Sequence, residues 1–196
     1  MTRPYVSIDI ETTGIGPEAQ ILQISAVFDD LVSPISELPK IDLPIYHKVI
    51  NNAEMYALGM NADLLKKMMD KNFKSYSTEQ ATKELIDFLT NVQTLCGTDE
   101  NGKPNRIILA GKNVASFDIP KIKSFLSKST QYDALKNFEK LIHYKTLDVG
   151  SLYYDVFKDN VSLSKINELT GRPAVSHNAL DDALDVVYAV RHKLGV

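Results

Sequence analysis

The sequence predicts an α/β domain built on a mixed sheet. Three observations carry that reading. Short apolar runs rich in β-branched residues crowd the first quarter of the chain, at the close spacing of an antiparallel meander. Beyond residue 60 the apolar period lengthens to that of helices. Strand-like and helix-like runs then alternate, the order that lays helices against a sheet.

Taken in order, the first strand covers about residues 4–10 and gives way to the glycine- and proline-bearing loop "TTGIGPEAQ". "ILQISAVF" reads as the second strand and "LPIYHKVI" as the third, with "DDLVSPISELPKID" between them as a two-proline connection. "NADLLKKMMDK" is a short helix with Asn61 as its N-cap. "STEQATKELIDFLTNV" opens on a capping box, Ser77 followed by Gln80, and carries the apolar stripe Ala81, Leu85, Phe88, Leu89 and Val92. After the polar loop "GTDENGKPN", "RIILAG" is a strand and "ASFDIPKIKSFLSK" a helix. "YKTLDVGSLYYDVF" reads as strand then helix, "SLSKINELTG" as a helix ending at Gly171, and "HNALDDALDVVYAVRHKL" as a long final helix. No repeat or low-complexity tract interrupts this order, so one domain is expected over residues 1–196.

Composition narrows the function. With 44 % hydrophobic and 24 % charged residues, the chain has an ordinary globular profile. No run matches a signal peptide or a membrane span, which places the expected site of action in the cytoplasm, away from membranes. Cys96 is the only cysteine, which excludes a disulfide framework and a cysteine-rich zinc site. The net charge of −3 argues against general, charge-driven binding of nucleic acid. It leaves room for a nuclease whose acidic centre is offset by cations. Lys112, Lys121, Lys123, Lys128, Lys136, Lys140 and Lys145 read either as solvated helix faces or as a phosphate track.

The most informative stretch is "YVSIDIETTGIG", residues 5–16. Asp9 and Glu11 are two apart within an apolar strand, so both side chains point to one face. Unpaired carboxylates buried that close repel one another and are costly, so an arginine or a metal ion should face them. Asp118 lies just past an apolar strand, at the strand-to-helix junction where polar groups gather over a sheet edge. At the last helix, Asp182 follows His177 by five residues; a histidine in the loop before the helix could reach the site that Asp182 faces. Asp181 and Asp185 share a different face and read as solvated. His47, His143 and His192 have no such surroundings and read as structural.

The motifs "DIETTG", "NVASFD" and "HNALDD", in this order, resemble those of the DEDDh family of 3′–5′ exonucleases, which includes the epsilon proofreading subunits, RNase T and oligoribonuclease. The resemblance runs from about residue 5 to 190 and is nearest to the proofreading type, because oligoribonuclease usually has "EMTG" where this chain has "ETTG". It implies a ribonuclease-H-like fold and cleavage from the 3′ end of single-stranded nucleic acid, with DNA favoured. It also implies two divalent cations, Mg²⁺ or Mn²⁺, held by Asp9, Glu11, Asp118 and Asp182, with His177 as general base. In that scheme Asp9 bridges the ions, Glu11 and Asp182 complete the site of the attacking water, and Asp118 holds the second ion. Histidine suits the base role because it changes charge near neutral pH.

The family also implies that Thr12, Thr13 and Gly14 bind the terminal nucleotide. "ALGMN" resembles its "VHGIT" segment, with Leu58 and Met60 either stacking on terminal bases or packing in the core. Asn113 and Phe117 are further substrate candidates. Lys112 departs from the family, where histidine commonly precedes the asparagine. The chain stops at "RHKLGV", without the tail by which epsilon subunits dock a polymerase. A free-standing enzyme is therefore the simpler expectation, with a polymerase or repair complex as the other partner. An exoribonuclease and a catalytically silent adaptor are the rival functions.

Overall fold

A computed structural model describes residues 3–196. Five strands form one mixed sheet: β1 (Tyr5–Thr12), β2 (Ile21–Asp29), β3 (Lys40–Pro44), β4 (Ile107–Gly111) and β5 (Ile142–Asp148), in the order β3-β2-β1-β4-β5. The first three pair antiparallel, as the short connections require, while β4 and β5 lie parallel to β1. The C-terminal ends of β1, β4 and β5 therefore share one edge of the sheet.

Helices cover both faces. Val6, Ile8 and Ile10 alternate into the larger core cluster with Leu85, Leu89, Ile122 and Phe138. These partners come from α3 (Thr78–Gln93), α4 (Asp118–Ser127) and α5 (Ala134–Leu141). On the opposite face α6 (Val149–Leu152), α7 (Tyr154–Phe157), α8 (Leu163–Thr170) and α9 (Ala179–Leu194) gather around Tyr5, Tyr153, Ile166 and Val186. Between β3 and α3 the chain makes two short helices, α1 (Met55–Met60) and α2 (Ala62–Met68).

The long helices begin and end where local chemistry directs. Both halves of the Ser77–Gln80 capping box form, and the whole apolar stripe of α3 is buried. Asn178 Oδ1 accepts the free amides of Leu180 and Asp181 at the start of α9. Gly171 and Gly195 close α8 and α9 with left-handed backbone. The far end of α9 is locked to the sheet by Arg191, whose Nη2 donates to the buried Asp29 Oδ1 at 2.6 Å, while the Tyr5 hydroxyl donates to Asp29 Oδ2 at 2.7 Å.

Three expectations are corrected. The third strand is not "LPIYHKVI" but Lys40–Pro44. The Ile45 amide still donates to the Leu22 carbonyl at 2.8 Å, and there the chain takes a second partner: Tyr76 N–H donates to the Pro44 carbonyl at 2.8 Å and Tyr46 N–H to the Tyr76 carbonyl at 2.9 Å. "ALGM" is itself helical, as part of α1. Asn61 does not cap α2, for its side chain accepts no helix amide. The helix α5 was also not anticipated, although Ala134, Phe138 and Leu141 form its buried stripe.

Candidate active site

The site lies over the C-terminal edge of β1 and β4. Ser7, Asp9 and Glu11 point to the face that α9 covers, and Ser7 Oγ donates to the Ala183 carbonyl at 2.7 Å. A second tie runs from the Ala179 amide to Gln23 Oε1 on β2, at 3.2 Å. These two bonds hold the first turns of α9 against the sheet, and Asp182 lies between their anchor points on the chain. Asp118 is the first residue of α4, reached through the tight turn Asn113–Phe117 that follows β4.

His177 sits just outside α9 with a left-handed φ of 54°. Glu11, His177 and Asp182 each offer a ligating atom, all within 4.8 Å of one another. Of the three, His177 is exposed and both carboxylates are buried. Asp9 joins them electrostatically: burial first, and then the charges of Asp118, Asp182 and Glu11, push its pKa well above the ordinary carboxylate range. Burial and the Glu11 charge push Asp118 up to about 7, against backbone amides that favour its anion. Asp182 also rises to about 7, through burial and then the charges of Glu11 and Asp185. Burial raises Glu11 too, opposed by a hydrogen bond from Asn61.

Backbone amides favour the anions of Asp118 and Asp182, and among the described residues no lysine or arginine pairs with any of the four carboxylates. Among the described residues, the buried Asp182 Oδ1 has no hydrogen-bond partner. Four mutually repelling carboxylates with an orphaned buried oxygen among them suit hard divalent cations. Of the two neighbours anticipated for Asp9 and Glu11, no arginine lies there among the described residues, and the donor set fits a metal.

The remaining candidates are placed less simply. Thr12 and Thr13 are buried, and both hydroxyls serve the β1–β2 loop: Thr12 Oγ1 donates to the Gly14 carbonyl at 2.8 Å, and Thr13 Oγ1 accepts the Gln20 amide at 2.9 Å. A Cβ on Gly14 would lie 2.6 Å from Glu54 Oε1, so a larger residue there would displace the Glu54 side chain. Leu58 and Met60 are half-buried on α1. Asn113 is exposed, and its amide donates to Asp148 Oδ2 at 2.6 Å. Phe117 packs on the larger core cluster, with Lys121 Nζ 5.5 Å above its ring. Lys112 Nζ is engaged by Asn160 Oδ1 at 2.6 Å and Asn113 Oδ1 at 3.0 Å.

Two further lysines are engaged within the protein. Lys121 is buried and donates to the Gly16 carbonyl, and Lys123 pairs with Glu139 at 2.8 Å. Asp185 is not solvated as expected: Arg172 donates to its Oδ1 at 2.7 Å and Asn167 to its Oδ2 at 2.5 Å. Sequence reasoning also missed Glu54, whose carboxylate accepts the Ile15 amide at 2.9 Å and whose own amide donates to the Thr13 carbonyl at 2.8 Å. An acid before a short helix gives no sign of that loop contact.

No protein-family model and no curated protein sequence matches the chain. Solved structures do. The chain is similar to E. coli Exonuclease I in complex with a dT13 oligonucleotide, with a TM-score of 0.62 and 12 % identity over 98 % of this chain. A second Exonuclease I complex, with a 5cy-dT13 oligonucleotide, gives 0.62 and 13 % over 97 %. The chain spans 41 % and 40 % of the lengths of those two proteins. The fold class is thus the ribonuclease-H-like mixed α/β sheet of these exonucleases. Among the described residues, no helix is long and apolar enough to cross a membrane.

Proposed function

We propose that this chain is a metal-dependent 3′–5′ exonuclease, one domain over residues 1–196, that acts on single-stranded nucleic acid and favours DNA. The observation that carries the reading is the gathering of ligating atoms of Glu11, His177 and Asp182 within 4.8 Å of one another, with Asp9 and Asp118 close enough for neighbouring carboxylates to raise their pKa. The oligonucleotide bound to Exonuclease I supports the choice of a single DNA strand as substrate.

Asp9, Glu11, Asp118 and Asp182 would hold two divalent cations, Mg²⁺ or Mn²⁺, which when bound acidify a water and neutralise phosphate charge. His177 takes the proton of the attacking water on a ring nitrogen. Being exposed, it can return that proton to solvent. The water oxygen bonds to phosphorus and the bond to the upstream 3′ oxygen breaks. That oxygen takes up a proton, leaving a new 3′ hydroxyl and a nucleoside 5′-monophosphate. Leu58 and Met60 offer apolar surface on α1 for the terminal base. The backbone of Thr12, Thr13 and Gly14, held rigid by its own hydrogen bonds, borders the terminal nucleotide.

The test is a cleavage ladder on matched 5′-labelled single-stranded DNA and RNA with Mg²⁺, Mn²⁺ or EDTA, alongside Asp9→Ala. Stepwise shortening from the 3′ end is expected, faster on DNA and absent both in EDTA and in the variant. Binding without cleavage under every metal condition would instead favour a silent adaptor.

A further inference from the structure

Strand β5 is the outer strand on its side of the sheet, and its pairing with β4 is irregular. Ile142 faces Ile107 and Thr146 faces Leu109, so His143, Tyr144 and Lys145 stand opposite Ile108 alone. Bulges at sheet edges re-aim side chains in this way. The His143 and Tyr144 rings stack, with centroids 4.5 Å and planes 25° apart, and Tyr144 is 81 % exposed. Lys145 Nζ stands 5.8 Å from the centre of the Tyr144 ring. The Lys145 amide donates to His143 Nδ1 at 2.9 Å, which ties the bulge together and leaves the ring proton on Nε2. Arg106 precedes Ile107 and so borders the same end of β5, and Arg3 donates to the Arg106 carbonyl. Burial, and then the charges of Arg3, Lys145 and Arg106, hold the His143 pKa below its ordinary value. Among the described residues, no carboxylate pairs with Arg3, Arg106 or Lys145.

We propose that the β5 bulge is a second contact surface for single-stranded nucleic acid, on which a base stacks against Tyr144 while Arg106 and Lys145 meet the phosphates beside it. Cations without carboxylate partners call for an anion, and an exposed ring calls for a flat apolar face. A single strand supplies both at one spacing, whereas an acidic peptide supplies only the charge. Lys145 lies three residues, about 10 Å of strand, from Asp148, which ends β5 at the edge where the acidic cluster gathers. A strand whose 3′ end enters that cluster can therefore continue across the bulge. This extends the exonuclease reading and rests on it for the direction of the strand, and the test separates the two.

Binding of a labelled oligothymidylate of about twelve nucleotides to the full chain is measured by fluorescence anisotropy in EDTA, which prevents metal-dependent cleavage. Wild type is compared with Tyr144→Ala, Tyr144→Phe, Lys145→Ala and Tyr132→Ala. Tyr132 is more exposed still but lies at the far end of α5. Tyr144→Ala should weaken binding about five- to tenfold, while Tyr144→Phe, which keeps the ring, and Tyr132→Ala stay within about twofold. Lys145→Ala should flatten the plot of log affinity against log salt by about 0.7, one phosphate contact. Unchanged affinity in Tyr144→Ala overturns the proposal, as does an equal loss in Tyr144→Phe or Tyr132→Ala. So do a wild type that binds no strand and full displacement of the strand by polyglutamate at matched charge. On wild type alone, the Tyr144 ring resonances should shift as the oligonucleotide is added, and their silence also overturns it. Binding through Tyr144 with no cleavage in Mg²⁺ or Mn²⁺ removes the nuclease reading and leaves this surface standing. Cleavage from the 3′ end by a wild type whose Tyr144→Ala variant binds equally well removes this surface alone.

Discussion

Asp182→Asn should make the metal-free protein more stable, and more so at higher pH. Burial, then Glu11 and Asp185, lift the Asp182 pKa from 3.8 to about 7. An acid whose folded pKa exceeds its unfolded one binds more protons when folded, so stability falls as pH rises between the two values and levels off above the higher. At about 1.4 kcal/mol per pKa unit, the ionised side chain costs the fold on the order of 4 kcal/mol at pH 8. Roughly 2–3 kcal/mol of that cost develops between pH 5 and pH 8. Asparagine removes the charge at both pH values, and comparing the two cancels the fixed effect of exchanging carboxyl for amide.

Urea unfolding in EDTA at pH 5 and pH 8 reads the effect directly, with an expected extra gain of about 2 kcal/mol at pH 8. A gain no larger at pH 8 than at pH 5 would refute the claim that the carboxylates destabilise the fold for want of a countercharge. With Mn²⁺ at a hundredfold excess over its dissociation constant, wild type should recover about 2.7 kcal/mol, and Asp182→Asn much less.

His177→Ala should keep Mn²⁺ binding but lose about 10²–10⁴ of the cleavage rate, and a ladder at wild-type speed would remove His177 from the base role. Gly150→Ala should lower stability by about 1–3 kcal/mol in a thermal melt, because overpacking forces neighbours apart. Its Cβ would stand 2.0 Å from Asn160 Oδ1 and 2.9 Å from the Val161 carbonyl, the second of which is backbone that cannot swing aside. Gly59→Ala, with nothing within 4 Å of the new Cβ, serves as the control and should be neutral or stabilising.

Much of the fold was legible because its signals are local. The Ser77–Gln80 box, the α3 stripe and the left-handed stop at Gly171 each depend on residues within a few positions of one another. The third strand was misplaced because its apolar run continues through Ile45 after the pairing partner changes. The Ile45 amide still reaches Leu22, but that of Tyr46 goes to Tyr76, about thirty residues away, and no window of sequence shows that exchange. Helix α5 was overlooked although both its stripe and the cap-type Asp133 before it are sequence signals; in the structure Asp133 takes a left-handed φ of 61° and its side chain caps nothing.

The candidate site divides along the same line. Asp9 and Glu11 stood out because a carboxylate in an apolar strand is a local conflict, whereas Asp118 and Asp182 stood out only through their place in motifs that resemble those of a known family. The groups that support them conflict with nothing nearby. Asn61 has the residue type of an N-cap, Glu54 that of a helix-start acid, and Asp185 that of a solvated position one turn past Asp181. Only the tertiary contact reveals another use for each. Asp185 shows why helix geometry could not decide the matter. Asp181 and Asp185 share a face, yet Asp181 is exposed while Arg172 and Asn167, from the end of α8 and its cap, cover Asp185. The covering charge pair ties α9 to the start of the loop that carries His177. It also leaves Asp185 close enough to raise Asp182. The same contact thus anchors the route to the proposed base and adds to the repulsion that a cation would relieve.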